Sequence, residues 1–124
     1  MKPRIAVVED NPDNRLLVQA LLEDLYDLSE YDSGSSAVQG LVQDNPDLVL
    51  LDISLPEMDG MDVLRWIRDQ DTLREVPVVA LTAHAMAGDR EKYLAEGFND
   101  YVTKPIVDES ILLGTIARWL ESSD

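Results

Sequence analysis

Short, almost continuous apolar runs alternate along this chain with longer amphipathic segments, and that alternation restricts the possible folds more than any other feature. The runs consist mainly of Val, Ile, Leu and Ala, which is typical of strands in a parallel sheet that helices cover on both faces. The segment at 26–31 alternates weakly and carries charges, so it indicates an edge strand. The predicted strands are Ile5–Val8, Tyr26–Tyr31, Leu48–Leu51, Val76–Leu81 and Asn99–Thr103.

The segments between the runs carry helix signals. Asn11 is a favourable N-cap, Pro12 follows at the first helical position, and Gly97 is a natural C-terminal cap for the fourth helix. The helices begin at Pro12 and then span Ser33–Asp44, Gly60–Asp71, Ala87–Glu96 and Val107–Leu120. Apolar residues recur at helical spacing at Leu17, Leu21 and Leu25, at Leu64 and Ile67, and at Leu112, Ile116, Trp119 and Leu120.

Five strands alternating with five helices predict an open α/β sheet with right-handed crossovers. The doubly wound order that fits five strands is the flavodoxin-like order 2-1-3-4-5. We find no internal repeat, low-complexity tract or linker, so residues 1–124 are expected to form a single domain.

Composition excludes several classes of function. The chain has no cysteine, which rules out disulfides, thiolate metal sites and Cys nucleophiles. The formal net charge of -15 argues against direct binding to nucleic acid, although part of this charge is expected only to keep the protein soluble. No stretch is apolar for long enough to span a membrane, and the first run is too short for a signal peptide. We therefore expect a soluble, cytoplasmic protein.

Polar residues stand where the predicted strands end. The first strand ends at Glu9 and Asp10, the third at Asp52, the fourth at Thr82, and the fifth just before Lys104. In the order 2-1-3-4-5 the strand order reverses between strands one and three, and ligands of such sheets bind there, beyond the carboxyl ends of the strands. Three carboxylates are therefore predicted to converge on one crevice, beside a hydroxyl and an ammonium group.

Clustered carboxylates stay ionised together when they share a cation. Oxygen ligands select Mg²⁺, Mn²⁺ or Ca²⁺, and a sparse, open site suits Mg²⁺. An Asp can act as a covalent nucleophile, and a metal with a lysine can neutralise the transferring oxygens. The chemistry that fits is in-line phosphoryl transfer to Asp52, with Lys104 and Thr82 contacting the phosphoryl group.

Four segments share a recognisable pattern, in order and at matching spacing: Val8-Glu9-Asp10-Asn11, Leu51-Asp52-Ile53-Ser54-Leu55-Pro56-Glu57-Met58-Asp59-Gly60, Ala80-Leu81-Thr82-Ala83 and Tyr101-Val102-Thr103-Lys104-Pro105. With these segments the chain resembles bacterial two-component response-regulator receiver domains over essentially its whole length. It looks most like stand-alone single-domain regulators and the receivers attached to hybrid histidine kinases.

The resemblance implies a role for each residue of the acidic crevice. Asp52 would be the phospho-acceptor. Asp10, Asp52 and the backbone carbonyl of Ser54 would ligate Mg²⁺, and Glu9 would act through a metal-bound water. Lys104 would pair with Asp52 or with a phosphoryl oxygen.

The resemblance also implies a conformational switch. Thr82 would swing toward the phosphoryl group, with the small Ala83 leaving access, and Tyr101 would move inward as Thr82 moves. Plain packing is the alternative for Tyr101. The Lys104–Pro105 peptide bond would be cis.

The family resemblance implies protein partners. A histidine kinase or phosphotransfer protein would supply the phosphoryl group. Ser54 and His84 stand at variable positions that border the path of the hydrolytic water, so they bear on the lifetime of the phosphorylated state; for His84 an ordinary exposed polar residue is the alternative. A downstream protein would bind the face of helix 4, strand 5 and helix 5, around Met86, Tyr93, Tyr101, Ile106 and Val107.

Other functions fit less well. A phosphohydrolase of the haloacid-dehalogenase type would place a second Asp two residues after the nucleophile, where this chain has Ser54. A receiver that binds partners without phosphorylation would usually lack an acid, the threonine or the lysine. No output domain follows the last helix, so the chain is read either as a whole single-domain protein, which a start at Met1 favours, or as a receiver excised from a hybrid kinase.

Overall fold

The computed structural model describes residues 2–83, 89–104 and 109–122. Within them, five parallel strands form one sheet in the order β2-β1-β3-β4-β5, flanked by five helices, which confirms the predicted flavodoxin-like architecture. The strands are β1 (Arg4–Val8), β2 (Asp27–Tyr31), β3 (Leu48–Asp52), β4 (Val78–Thr82) and β5 (Asp100–Thr103).

The helices alternate with the strands as predicted. They are α1 (Pro12–Leu22), α2 (Gly34–Asp44), α3 (Gly60–Asp69), α4 (Asp89–Glu96) and α5 (Glu109–Ser122). The predicted starts of α4 and α5, at 87 and 107, lie outside the described residues. The end of α3 falls two residues earlier than predicted, and α5 continues two residues further.

Capping side chains explain where the helices begin. The Asn11 side chain accepts hydrogen bonds from the backbone N–H groups of Asp13 and Asn14, as expected of an N-cap. Ser33 and Ser36 form a reciprocal capping box at the start of α2. Gly97 has a φ of 116°, a conformation that only glycine adopts freely, so it ends α4 as predicted.

The core consists of two apolar layers, one on each face of the sheet. Every residue of β3 and β4 is buried, which explains why their sequences read as unbroken apolar runs. The strand β2 is only partly covered, as predicted for an edge strand. One layer packs under α2, α3 and α4, and the other packs under α1 and α5. In α5 the four apolar residues singled out from the sequence all pack on this side of the sheet: Leu112 and Ile116 are fully buried, and Trp119 and Leu120 are partly buried against the same layer.

The leucine stripe of α1 does not form its buried face. Val18 and Leu22 are buried instead, whereas Leu17 is 39% exposed. Leu25, at 52% exposure, lies beyond the end of the helix. Val18 and Leu22 belong to the core layer on this face of the sheet, and the partly buried Leu21 packs against it. None of the described helices combines the length and the hydropathy that crossing a bilayer requires.

The strand register aligns the ends of the central strands at one edge of the sheet. Val8 pairs with Leu51 across β1 and β3, and Asp52 pairs with Leu81 across β3 and β4. Glu9, Asp52 and Thr82 directly follow Val8, Leu51 and Leu81, so all three lie at the same carboxyl edge. This edge is where the polar residues singled out from the sequence meet.

Candidate functional site

Three carboxylates converge at the carboxyl edge of the sheet. Glu9 is fully buried and Asp52 is 1% exposed, while Asp10 is exposed to solvent. One carboxylate oxygen from each of the three lies within 4.8 Å of those of the other two. The structure thus brings together the acidic residues that strand order alone had placed in one crevice.

Lys104 supplies the positive charge in this cluster. Its Nζ lies 3.0 Å from Asp52 Oδ2 and 3.3 Å from Glu9 Oε2, and only 17% of its side chain is exposed. Its backbone N–H donates to the Thr82 carbonyl, which fixes the lysine directly after β5. Burial alone would lower the pKa of Lys104, but its hydrogen bond to Asp52 and the charges of Asp52 and Glu9 raise the pKa above its usual range.

The surroundings of the Glu9 carboxyl group disfavour its charged form. Burial raises the pKa of its carboxyl group above the ordinary value, and the neighbouring Asp52 raises it further. The Asn14 amide, which donates to Glu9 Oε1 at 3.2 Å, and Lys104 act in the opposite direction without cancelling the rise in pKa. The backbone N–H of Asn11 donates to the same oxygen at 3.3 Å.

The cluster fits a hard divalent cation. The buried carboxylates of Glu9 and Asp52 share the one ammonium group of Lys104, and the exposed carboxylate of Asp10 lies beside them, so these residues leave an excess of negative charge. All the converging side-chain donors of Glu9, Asp10 and Asp52 are oxygens, and such donors favour Mg²⁺, Mn²⁺ or Ca²⁺. The cluster could therefore hold a metal ion, as the sequence predicted.

The loop after β3 holds the Asp52 carboxylate in place. Oδ1 accepts a hydrogen bond from the backbone N–H of Ser54 at 2.9 Å, and Oδ2 accepts one from Lys104. Gly60 closes the loop, where its N–H donates to the Ile53 carbonyl. A Cβ at Gly60 would lie 2.5 Å from the Asp52 carbonyl oxygen, so the backbone passes as close as only glycine allows.

Thr82 lies at the same edge but its hydroxyl does not bond to Asp52. The side chain is buried, and Oγ1 lies 3.0 Å from the hydroxyl oxygen of Tyr93 on α4. Tyr93 in turn packs against the half-buried ring of Tyr101, with ring centroids 6.0 Å apart. The threonine and the two tyrosines therefore form one contiguous group beside the acidic cluster.

Tyr93 corrects one expectation about the output face. The sequence placed it on a partner-binding surface, but it is only 6% exposed and lies in the core layer under α4. The thin apolar face of α4 gave little sign of this burial, because tertiary packing decides it. The remaining predictions for His84, Met86, Pro105, Ile106 and Val107 lie outside the described residues.

Two further residues support the acidic loop and were not predicted from the sequence. The Asn14 amide holds Glu9, and the Arg15 guanidinium donates to the Glu9 backbone carbonyl at 2.8 Å and to that of Asp10 at 3.3 Å. The positions of Asn14 and Arg15 in the first turn after Pro12 could have indicated these contacts from the sequence. Side chains there project back toward the preceding loop.

Comparison with known proteins connects this geometry to a family. A family model described as the response regulator receiver domain matches residues 5–116. The sensor protein GacS of Pseudomonas syringae is 43% identical over 121 residues, which cover 94% of this chain and 13% of GacS. The polar-differentiation response regulator DivK of Brucella ovis is 40% identical over 107 residues, covering 86% of this chain and 87% of DivK.

A solved structure is similar over nearly the whole chain. It is the receiver domain of the sensor histidine kinase PA1611 from Pseudomonas aeruginosa, which carries a magnesium ion in its active-site cleft. The two chains are 38% identical with a TM-score of 0.87, and the match covers 98% of this chain and 99% of the other. Against the sensor kinases such as GacS, by contrast, this chain spans only about an eighth of the relative's length.

The family is one of signalling switches rather than of conventional enzymes. Its receiver domains, in hybrid kinases and in response regulators, interact with histidine kinases or phosphotransfer proteins. The match spans most of the chain, and it includes the acidic cluster at the carboxyl edge of the sheet and every strand residue except Arg4, the first of β1. This chain belongs to the response regulator receiver domain family.

Proposed function

We propose that this chain is a phospho-acceptor switch in which Asp52 receives a phosphoryl group and residues 1–124 act as one receiver domain. One observation carries the proposal. The Asp52 carboxylate is 1% exposed, lies 3.0 Å from the Lys104 ammonium, and shares a cluster with Glu9 and Asp10. A buried acid between a cation and two further acids is poorly suited to a structural role and well suited to phosphoryl transfer.

Asp10, Asp52 and the backbone carbonyl of Ser54 would hold Mg²⁺, and Glu9 would act through a water bound to it. The bound metal would supply positive charge that offsets the phosphoryl oxygens. The carboxylate spacing and the excess of negative charge support this assignment. The magnesium ion in the similar receiver of PA1611 supports it from an independent structure.

The chain's own residues account for the transfer itself. A carboxylate oxygen of Asp52 attacks phosphorus, the new O–P bond forms, and the bond from phosphorus to the donor breaks with its electron pair leaving on the donor. Lys104 stays close enough to Asp52 Oδ2 to neutralise a phosphoryl oxygen. The Ser54 N–H, already bonded to Oδ1, keeps the carboxylate oriented for attack.

The signal would arise from added charge. A phosphoryl group brings about -1.5 to -2 charges and new hydrogen-bond acceptors to a buried edge of the sheet. The Thr82 hydroxyl lies at that edge and would move toward these acceptors, and Tyr101 would follow into the space beside it. The face of α4, β5 and α5 would then bind a downstream protein.

We propose a histidine kinase or a phosphotransfer protein as the phosphoryl donor. Identity of about 40% to receivers of both stand-alone regulators and hybrid kinases supports that class of donor. We also propose a cytoplasmic location, because the ATP that feeds such donors is found there.

Incubation with Mg²⁺ and acetyl phosphate, followed by intact-mass analysis, tests the proposed function. We expect the mass of one phosphoryl group to be gained by the wild type and lost on chelating the metal. The variant Asp52→Asn keeps the shape of the side chain but is a poor nucleophile, so it should gain nothing. A wild type that gains no mass from acetyl phosphate or from any histidine-kinase donor would contradict the proposal.

A further inference from the structure

The hydrogen bond between Thr82 and Tyr93 joins the acceptor edge of the sheet to α4. The two hydroxyl oxygens lie 3.0 Å apart, and either can be the donor. Both residues are buried, with 2% of Thr82 and 6% of Tyr93 exposed. A hydrogen bond between two buried hydroxyls is costly to lose without replacement, because water cannot readily take the place of either partner.

Ring packing fixes where the Tyr93 hydroxyl stands. The ring lies edge-on to Phe98, with centroids 6.2 Å apart and an interplanar angle of 84°, and it is tilted against Tyr101 at 6.0 Å. Tyr93 and Phe98 belong to the core layer under α4. The hydroxyl is therefore presented to Thr82 by a side chain with little freedom to follow it.

The hydrogen bonds of Asp52 show which position Thr82 occupies. The carboxylate accepts from the Ser54 backbone N–H and from the Lys104 ammonium. The Thr82 hydroxyl bonds instead to Tyr93. In this structure the Thr82 hydroxyl is bonded on the α4 side, and a move of this hydroxyl away from α4 toward a phosphoryl group on Asp52 would stretch that bond.

We infer that Tyr93 is a positioning residue whose hydroxyl holds Thr82 in the resting position and so sets the balance between the resting and activated states. This inference rests on the proposed function, since it presupposes that Thr82 moves. Loss of the Tyr93 hydroxyl removes an interaction made in the resting state, so the activated state becomes easier to reach. Because Tyr93 lies in α4, the same bond makes that helix sensitive to the position of Thr82.

The variant Tyr93→Phe tests this inference because it removes the hydroxyl and keeps the ring. Beryllofluoride with Mg²⁺, a stable mimic of the phosphoryl group, is titrated into each protein and followed by NMR. We expect Tyr93→Phe to bind beryllofluoride roughly 2- to 10-fold more tightly than wild type, the range that one buried hydrogen bond would produce. The Thr82 signals of the unliganded variant should also shift toward their positions in the beryllofluoride complex.

Two controls separate positioning from packing. Tyr26→Phe makes the same chemical change in the other core layer, against α1 and α5, and should leave beryllofluoride affinity within twofold of wild type. In a Thr82→Ala background, Tyr93→Phe should have no further effect on affinity, because the contact through which Tyr93 acts on Thr82 is already gone. A purely structural role for Tyr93 would lower the melting temperature equally in both backgrounds without tightening beryllofluoride binding.

The outcomes distinguish this inference from the proposed function. If wild type binds beryllofluoride while Tyr93→Phe binds it equally well or more weakly, the positioning role is wrong and the acceptor role stands. An effect of Tyr93→Phe that persists in the Thr82→Ala background also overturns the positioning role. If wild type itself neither binds beryllofluoride nor gains a phosphoryl group, the proposed function fails first.

Discussion

Two clusters at opposite ends of the sheet each surround a partly buried cation, and they differ in whether charged or neutral oxygens surround that cation. At the carboxyl edge, Lys104 faces three carboxylates, of which Glu9 and Asp52 are almost completely buried. At the amino edge, the guanidinium of Arg68 on α3 faces only neutral oxygens. Its Nη1 donates to the carbonyls of Arg74 at 2.9 Å and Val76 at 2.7 Å.

The second half of the Arg68 cluster reaches β5. Its Nη2 donates to the Gly97 carbonyl at 2.8 Å and to Asn99 Oδ1 at 2.9 Å, and that oxygen also accepts from the N–H of Val78. Burial lowers the pKa of Arg68 below its usual range. The four hydrogen bonds hold the guanidinium in a fixed orientation. It fastens α3 to the segments that enter β4 and β5.

The difference shows how a binding site can be told from a structural clamp. All four Nη hydrogens of Arg68 are directed at protein oxygens, so its charge is satisfied by neutral acceptors from the chain itself. The acidic cluster has more negative charge than its lysine can balance, and a bound cation would neutralise this excess. An unbalanced buried charge therefore marks the functional end of this sheet.

The largest expected effect comes from breaking the clamp. Arg68→Met keeps the apolar stem but removes all four hydrogen bonds, so we expect the free energy of unfolding to fall by about 3 kcal/mol in urea denaturation. Arg65→Met is the matched control one turn earlier. Arg65 is 66% exposed and makes only surface ion pairs, so its loss should change stability by about 0.5 kcal/mol or less. Equal losses in both variants would show that Arg68 is no clamp.

A smaller effect is expected where the backbone passes under Asp52. In Gly60→Ala the added Cβ would meet the Asp52 carbonyl oxygen at 2.5 Å and Ile53 Cα at 2.7 Å, and backbone atoms cannot easily yield. We expect a loss of about 1–3 kcal/mol in the free energy of unfolding, with weaker phosphoryl uptake because the acceptor shifts. Gly114→Ala in α5 is the control. Nothing lies within 4 Å of its added Cβ, so helix propensity should make it neutral or more stable by up to about 1 kcal/mol. A Gly60→Ala protein as stable as wild type would show that the loop is not constrained there.

The smallest expected effect is a gain in stability, and it comes from replacing Glu9. The pKa of Glu9 is raised in the folded protein, so without metal the folded state binds this proton more tightly than the unfolded chain does. Glu9 therefore opposes folding above the raised pKa, and this opposition fades as pH falls toward its ordinary value of 4.5. We expect metal-free Glu9→Gln to melt at a higher temperature than wild type at neutral pH, with the difference shrinking at lower pH.

The control for the Glu9 prediction is Glu30→Gln on the exposed side of β2, which should barely change the melting temperature at any pH. A destabilised Glu9→Gln protein at neutral pH would mean that the pair with Lys104 outweighs burial and the repulsion from Asp52. The excess of negative charge that distinguishes the acidic cluster from the Arg68 cluster would then be smaller than we infer.

The two clusters also differ in how far the sequence predicts them. Glu9, Asp10, Asp52 and Lys104 follow strand ends, and a parallel sheet of known order brings strand ends together, so their meeting could be predicted. Arg68 lies in the last turn of α3, and its four acceptors lie in the loops that precede β4 and β5, so no local pattern identifies its partners. Long-range packing alone places it.

The same limit applies to individual helix faces. In α1, Val18 and Leu22 are buried whereas Leu17 is exposed, and the spacing of the leucines alone does not show which of these residues meets the core. Tyr93 was expected on a surface and is buried, because its hydroxyl and ring find partners on β4 and β5. Residue type and spacing predict the elements and the acidic crevice, whereas the links between neighbouring layers depend on the three-dimensional packing.

The most direct test of the central claim identifies which residue carries the phosphoryl group. The protein is phosphorylated with acetyl phosphate and Mg²⁺, reduced with borohydride to convert an aspartyl phosphate to homoserine, digested, and mapped by peptide mass. We expect conversion at Asp52 alone. Conversion at Glu9 or Asp10, or a phosphorylated protein with Asp52 unmodified, would contradict it.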